Sequence, residues 1–156
     1  MKRFTLKNLF KRSSEASKIK ERRQLQRPEG GYDLTILIVD DSRTVVAAFT
    51  KVLSQAGFKT ISAVNGIEGV ATAKSALPNL ILMDVVMPGL NGFQATRQIR
   101  KGETTSHIPI IIVSGEQQAT EQFWGKRVGA NAFLTKPVDR AQFFGTIFDT
   151  LKLTQT

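Results

Sequence analysis

The sequence predicts an α/β domain built on a doubly wound parallel sheet of five strands, and three observations predict it. Five short apolar runs rich in β-branched residues alternate with five stretches of helical periodicity. Each run ends on polar or turn-forming residues, as a strand buried on both faces requires. Apolar residues make up 41% of the 156-residue chain, enough for one core in a domain of ordinary size. Strict alternation of strand and helix then calls for parallel pairing through right-handed crossovers.

The elements follow in order. Leu34-Thr35-Ile36-Leu37-Ile38-Val39 is the first strand, closed by Asp40-Asp41-Ser42. Val45, Val46, Phe49, Val52, Leu53 and Ala56 recur at helical spacing, and Gly57 suits the left-handed position after a helix. Lys59 to Val64 is a second, shorter strand, and Ile67 to Ala76 a second helix stopped by Leu77-Pro78-Asn79. The third strand is Leu80 to Asp84, four apolar residues running into a carboxylate before the break at Pro88-Gly89. A helix from Phe93 to Arg100 follows Asn91-Gly92, and the fourth strand spans Ile108 to Val113, ending at Ser114-Gly115. Glu116 to Val128 reads as the fourth helix and Ala132-Phe133-Leu134-Thr135 as the fifth strand. After Lys136-Pro137, Asp139 caps a last helix to about Leu153. Nothing but Thr154-Gln155-Thr156 follows it, so no separate output domain is expected.

Charge divides the chain in two. Of the net +9, +7 falls within residues 1–31, where ten Lys/Arg face Glu15, Glu21 and Glu29, whereas residues 32–156 are nearly balanced. The expected organisation is thus a basic extension, 1–31, ahead of a domain, 32–156. In the extension, Phe4, Leu6, Leu9 and Phe10 are interleaved with Lys2, Arg3, Lys7, Lys11 and Arg12. That pattern suits a solvated, disordered tail. It also suits a basic amphipathic helix for an anionic membrane surface or an acidic partner. Nucleic acid is the weaker fit, because the aromatics of a base-stacking surface are missing. There are no cysteines, which excludes disulfides, thiolate metal sites and thiol nucleophiles. No apolar run reaches the length of a membrane span, the N-terminus lacks the apolar core of a secretory signal, and an intracellular setting is expected.

The chemistry-bearing residues fall at strand ends: Asp40 and Asp41 after the first strand, Asp84 on the third, Ser114 after the fourth and Lys136 after the fifth. Strands of a parallel sheet point the same way, so all five gather on one rim, the ligand-binding edge of such sheets. Each alone has a plainer reading: Asp41-Ser42 as a helix cap, Lys136 as a solvated cation. Together they suggest chemistry. Three crowded carboxylates need protons or a cation, and oxygen ligands without His or Cys favour a hard ion such as Mg²⁺. An aspartate can act as nucleophile toward a phosphoryl group, with a Lys ammonium and a hydroxyl steadying the transferring charge. No Gly-x-x-x-x-Gly-Lys-Ser/Thr loop is present, so ATP is not expected to be the direct donor.

The set Asp40-Asp41, Asp84 with Met87-Pro88-Gly89, Ser114-Gly115 and Lys136-Pro137 resembles the receiver domain of two-component response regulators, over about residues 34–153. The resemblance implies a flavodoxin-like (βα)₅ fold with strand order 2-1-3-4-5. It implies that Asp84 accepts phosphate from a sensor histidine kinase or a histidine phosphotransfer domain. Mg²⁺ would be held by Asp41, Asp84 and the Val86 carbonyl, with Asp40 acting through water. Ser114 and Lys136 would hold the phosphoryl oxygens, the Lys136-Pro137 bond would be cis, and Phe133 would be the switch aromatic that turns inward as Ser114 moves. Such a protein is a phosphoacceptor, not a turnover enzyme, and signals to a downstream protein through the fourth helix, fifth strand and fifth helix. Trp124, Lys126 and Arg127 are candidates for that face. The stretches Met87 to Gln98, Trp124 to Arg127, Gly129-Ala130 and Leu134 to Val138 are similar to stand-alone receivers of type IV pilus (twitching-motility) chemosensory systems. Such a protein would be cytoplasmic and act on motility machinery, whereas the basic extension suggests peripheral attachment at the inner membrane or, as a rival output, binding of DNA or membrane. An aspartate-nucleophile phosphatase is disfavoured, because its general acid would stand where this chain has Val86. Val86 also cannot position an attacking water, which predicts slow self-dephosphorylation, although Glu116 could substitute.

Overall fold

Alternation of side chains across each strand decides how the helices are distributed. A computed structural model describes Phe10, Glu15, Ala16 and residues 31–115 and 126–152. The strands are β1 (Thr35–Val39), β2 (Lys59–Ala63), β3 (Leu80–Met83), β4 (Ile110–Ser114) and β5 (Ala132–Thr135). They form one parallel sheet in the order β2-β1-β3-β4-β5, the predicted order. The helices are α1 (Arg43–Ala56), α2 (Gly66–Ala76), α3 (Gly92–Lys101), α4, of which residues 126–128 are described, and α5 (Arg140–Leu151).

Ile36, Ile38, Leu80, Leu82, Ile111, Val113 and Leu134 face one way, into a core completed by Phe49 and Leu53 of α1 and Phe143, Phe144 and Phe148 of α5. Leu37, Val39, Ile81, Met83, Ile110 and Ile112 face the other, against Val70 and Ala73 of α2 and Ala95 and Ile99 of α3. β1, β3 and β4 are therefore buried on both faces, as near-continuous apolar strands in a parallel sheet should be.

Local chemistry sets the ends. Ser42 caps α1 by accepting from the Val45 amide, and Gly57 ends it at φ 102°. Asn91 and Gln94 form a reciprocal capping box, so α3 starts at Gly92. β4 begins two residues later than its apolar run. Pro109 has no N–H to donate to a ladder, and only its carbonyl is used, accepting from the Ile81 amide. β3 is likewise one residue shorter than expected, leaving Asp84 just beyond it. Most of the fourth predicted helix and nearly all of the N-terminal extension lie outside the described residues. Phe10 is an exception: half-buried, it makes an isolated parallel bridge with Val138 and packs on the α1–α5 core. Glu15 and Ala16 are helical and exposed.

Candidate functional site

The sheet register builds the site. Val39 pairs with Met83, so Asp40 and Asp84, each the next residue, lie side by side where the ladder ends. Hydrogen bonding continues past the strands: the Asp84 amide donates to Val39, the Asp40 amide to Ala63 and the Lys136 amide to Ser114. These backbone bonds fix three of the predicted residues before their side chains interact. Behind them Gly92, the first residue of α3, lies so close to the Asp84 carbonyl that a Cβ could not be fitted, and its amide donates to Val85. The sequence suggested Asn91-Gly92 only as a helix start; the close approach needs the loop's path, which no local pattern carries.

Asp40, Asp84, Ser114 and Lys136 are all buried, whereas Asp41 is exposed at the mouth. Carboxylate oxygens of Asp40, Asp41 and Asp84 lie within 4.8 Å of one another. The Lys136 ammonium sits 2.9 Å from Asp40 Oδ2 and 3.4 Å from Asp84 Oδ1. The reading of Lys136 as a solvated cation is thereby excluded. The other Asp40 oxygen, Oδ1, accepts from the Ser42 amide, so both of its oxygens are engaged within the protein. Asp84 is left with a single charge partner at the longer distance. Burial, reinforced by the negative charge of Asp40 and only partly offset by Lys136, pushes its carboxyl up to about 7.

The remaining predicted residues are distributed around this centre. Val86, two residues past Asp84, is 70% exposed. Phe133 is half-buried on β5 against the α2–α3 core, three residues before Lys136. The Lys136-Pro137 peptide is cis. Lys126 and Arg127 are exposed at the end of α4, and His107 is exposed in the loop before β4. Trp124 and Glu116 lie outside the described residues.

The donor set fits a hard divalent cation. Three carboxylates converge from two adjacent strand ends, the neighbouring ammonium balances only part of their charge, and no softer ligand stands among them. Among the described residues these three are the grouping of potential metal ligands the fold creates.

Residues 36–148 match the response regulator receiver domain. The chain is 53% identical to protein PilH of Pseudomonas aeruginosa over 112 residues, covering 72% of this chain and 93% of that protein. The chemotaxis protein CheY4 of Vibrio cholerae superposes with a TM-score of 0.71 at 29% identity, over 75% of this chain and 98% of that one. A CheX–CheY–BeF₃–Mg²⁺ complex from Borrelia burgdorferi contains a chain that superposes with a TM-score of 0.72 at 25% identity, over 81% of this chain and 96% of that one.

Proposed function

The chain belongs to the response regulator receiver domain family, and from that premise we propose that it accepts phosphate on Asp84 and signals by changing what it binds. The observation that carries the assignment is the position of Asp84: buried beside Asp40 and Asp41 and within reach of one shared ammonium. In the proposed step an Asp84 carboxylate oxygen attacks the phosphorus of a kinase or phosphotransfer-domain phosphohistidine. The O–P bond forms as the P–N bond breaks, and the imidazole leaves with the bonding pair. Lys136 stands where it can neutralise a phosphoryl oxygen, and Ser114, buried at the end of the adjacent strand, supplies a hydroxyl on the same rim. Mg²⁺ held by Asp41, Asp84 and the Val86 carbonyl would offset the carboxylate and phosphoryl charge. Asp40, whose oxygens already serve Lys136 and the Ser42 amide, suits a water-mediated place in that set. On this reading the protein is a phosphoacceptor that promotes only its own phosphorylation and dephosphorylation.

We assign residues 32–156 to the receiver and 1–31 to an extension of it. Phosphorylation would draw Ser114 toward the phosphoryl group and Phe133 inward, biasing two pre-existing states of the face made by α4, β5 and α5. Similarity to PilH supports a place in type IV pilus motility control. Partner complexes are supported by the receiver captured with CheX. A cytoplasmic location fits, and among the described residues no helix is long and apolar enough to cross a membrane. Phosphotransfer from candidate histidine kinases, with Asp84→Ala as control, tests the assignment. Phosphorylation that persists in the variant overturns it.

The exposure of Val86 makes a second result expectable. An apolar side chain at the mouth cannot orient water for attack on the phosphoryl group, whereas an amide can. Val86→Asn is expected to shorten the lifetime of the phosphoprotein about tenfold, which corresponds to about 1.4 kcal/mol of barrier. Decay of the phosphorylated wild type and variant measures it, and equal lifetimes sink the idea.

A further inference from the structure

Phe10 is distant in sequence from the described residues it touches. Its backbone pairs with Val138, and its ring meets Phe49 of α1 and Phe143 of α5 edge-on, with centroids 6.0 and 5.6 Å away. Phe49 and Phe143 stack on each other at 5.1 Å and are almost wholly buried. The cleft between α1 and α5 is therefore an aromatic socket, and the edge-on approach is the one ring quadrupoles favour. Phe10 itself is half-buried. In sequence it stands among Lys7, Lys11 and Arg12, within the segment that carries +7 of the chain's charge.

The other half of the contact leads to the phosphoacceptor site. Val138 is two residues beyond Lys136, and the intervening Pro137 has a ring-fixed φ that stiffens the link. The same turn thus presents the Lys136 ammonium to Asp40 and Asp84 on one side and Val138 to Phe10 on the other.

We propose that Phe10 acts as a clasp, seated in the α1–α5 socket in the unphosphorylated protein, and that phosphorylation of Asp84 loosens this contact through the Lys136–Val138 turn. The second half rests on the reading of Asp84 as phosphoacceptor. Before phosphorylation two buried carboxylates hold Lys136, and the turn keeps Val138 under Phe10. A phosphoryl group adds negative charge and acceptor oxygens beyond Asp84 and competes with Asp40 for the ammonium. Displacement of Lys136 passes through Pro137 to Val138 and disturbs its bridge with Phe10. Linkage demands the converse: a chain without the clasp binds a phosphoryl mimic more tightly, by the factor by which the mimic weakens the clasp.

Trypsin cleavage after Lys11 and Arg12, followed by intact mass in the full-length protein, tests both halves. Cleavage is expected to be slowest in the wild type alone. It should accelerate at least about fivefold with Mg²⁺ and beryllofluoride, and by a similar factor in Phe10→Ala without them. Phe10→Leu, which keeps apolar bulk but loses the ring contacts, is expected to fall between. Circular dichroism and melting confirm that the variants are folded. Equal cleavage of wild type and Phe10→Ala overturns the clasp. Unchanged cleavage while ¹⁹F NMR shows bound beryllofluoride overturns the coupling alone. Absence of any bound beryllofluoride overturns the phosphoacceptor reading and the switch with it, while the Phe10→Ala comparison still decides the clasp.

Discussion

Replacing Lys136 by Met is expected to cost about 3–5 kcal/mol of stability near pH 8 in the presence of a chelator, the usual penalty for stripping a buried ion pair of one partner. Lys136 Nζ lies 2.9 Å from Asp40 and 3.4 Å from Asp84, and the three side chains are 7%, 4% and 10% exposed. Methionine fills similar volume without charge, so packing is largely kept while two buried carboxylates lose their cation. Mg²⁺ should recover part of the loss by supplying charge to the same carboxylates, and acid should recover part by protonating Asp84, whose carboxyl pKa burial already raises. Denaturant unfolding with and without Mg²⁺ measures the effect. A loss below about 1 kcal/mol, in the range of an exposed ion pair, would mean that the ammonium does not hold the site together.

The second large effect has the opposite sign. The Asp84 carboxyl is pushed up to about 7 by burial, then by Asp40, against the opposing pull of Lys136. The unfolded chain loses this proton at the ordinary carboxylate value, so between about pH 4 and 7 the folded state binds more protons and stability falls as pH rises. Below that window no penalty exists, and above it the penalty is complete, on the order of 4 kcal/mol for a shift of this size. Asp84→Asn removes the titration but keeps the shape. The variant is therefore expected to be more stable than the wild type near pH 8 in chelator, with the gap closing on acidification toward pH 4. Melting of both proteins across this range, with Mg²⁺ added in parallel, measures it. A gap that is constant with pH, or that widens in acid, contradicts a strained carboxylate at position 84.

Legibility of the fold and the site in the sequence followed the range of the forces involved. The strands and helices were readable because burial on two faces leaves uninterrupted apolar runs, as in Leu80–Met83, and burial on one face leaves the spacing of Val45, Phe49, Val52 and Leu53. That Asp40, Asp84 and Lys136 converge was readable because parallel strands share one direction and each residue stands at a strand end. How they share charge was not. The preference of Lys136 for Asp40, its longer contact with Asp84 and the bond from the Ser42 amide to Asp40 depend on ångström-scale register. The contact of Gly92 with the Asp84 backbone depends on the path of an irregular loop. Phe10 was the least legible. Its basic neighbours suggest a solvated segment, and nothing local points to an aromatic socket formed by residues 49 and 143.

The central claim is that one carboxylate, Asp84, takes the phosphoryl group. Incubation with phosphoramidate and Mg²⁺, followed by intact mass and peptide mapping, tests it most directly. The wild type is predicted to gain one alkali-labile phosphoryl group in the peptide containing Asp84, and Asp84→Asn to gain none. A phosphoryl group elsewhere in the wild type, or equal labelling of Asp84→Asn, would contradict the account.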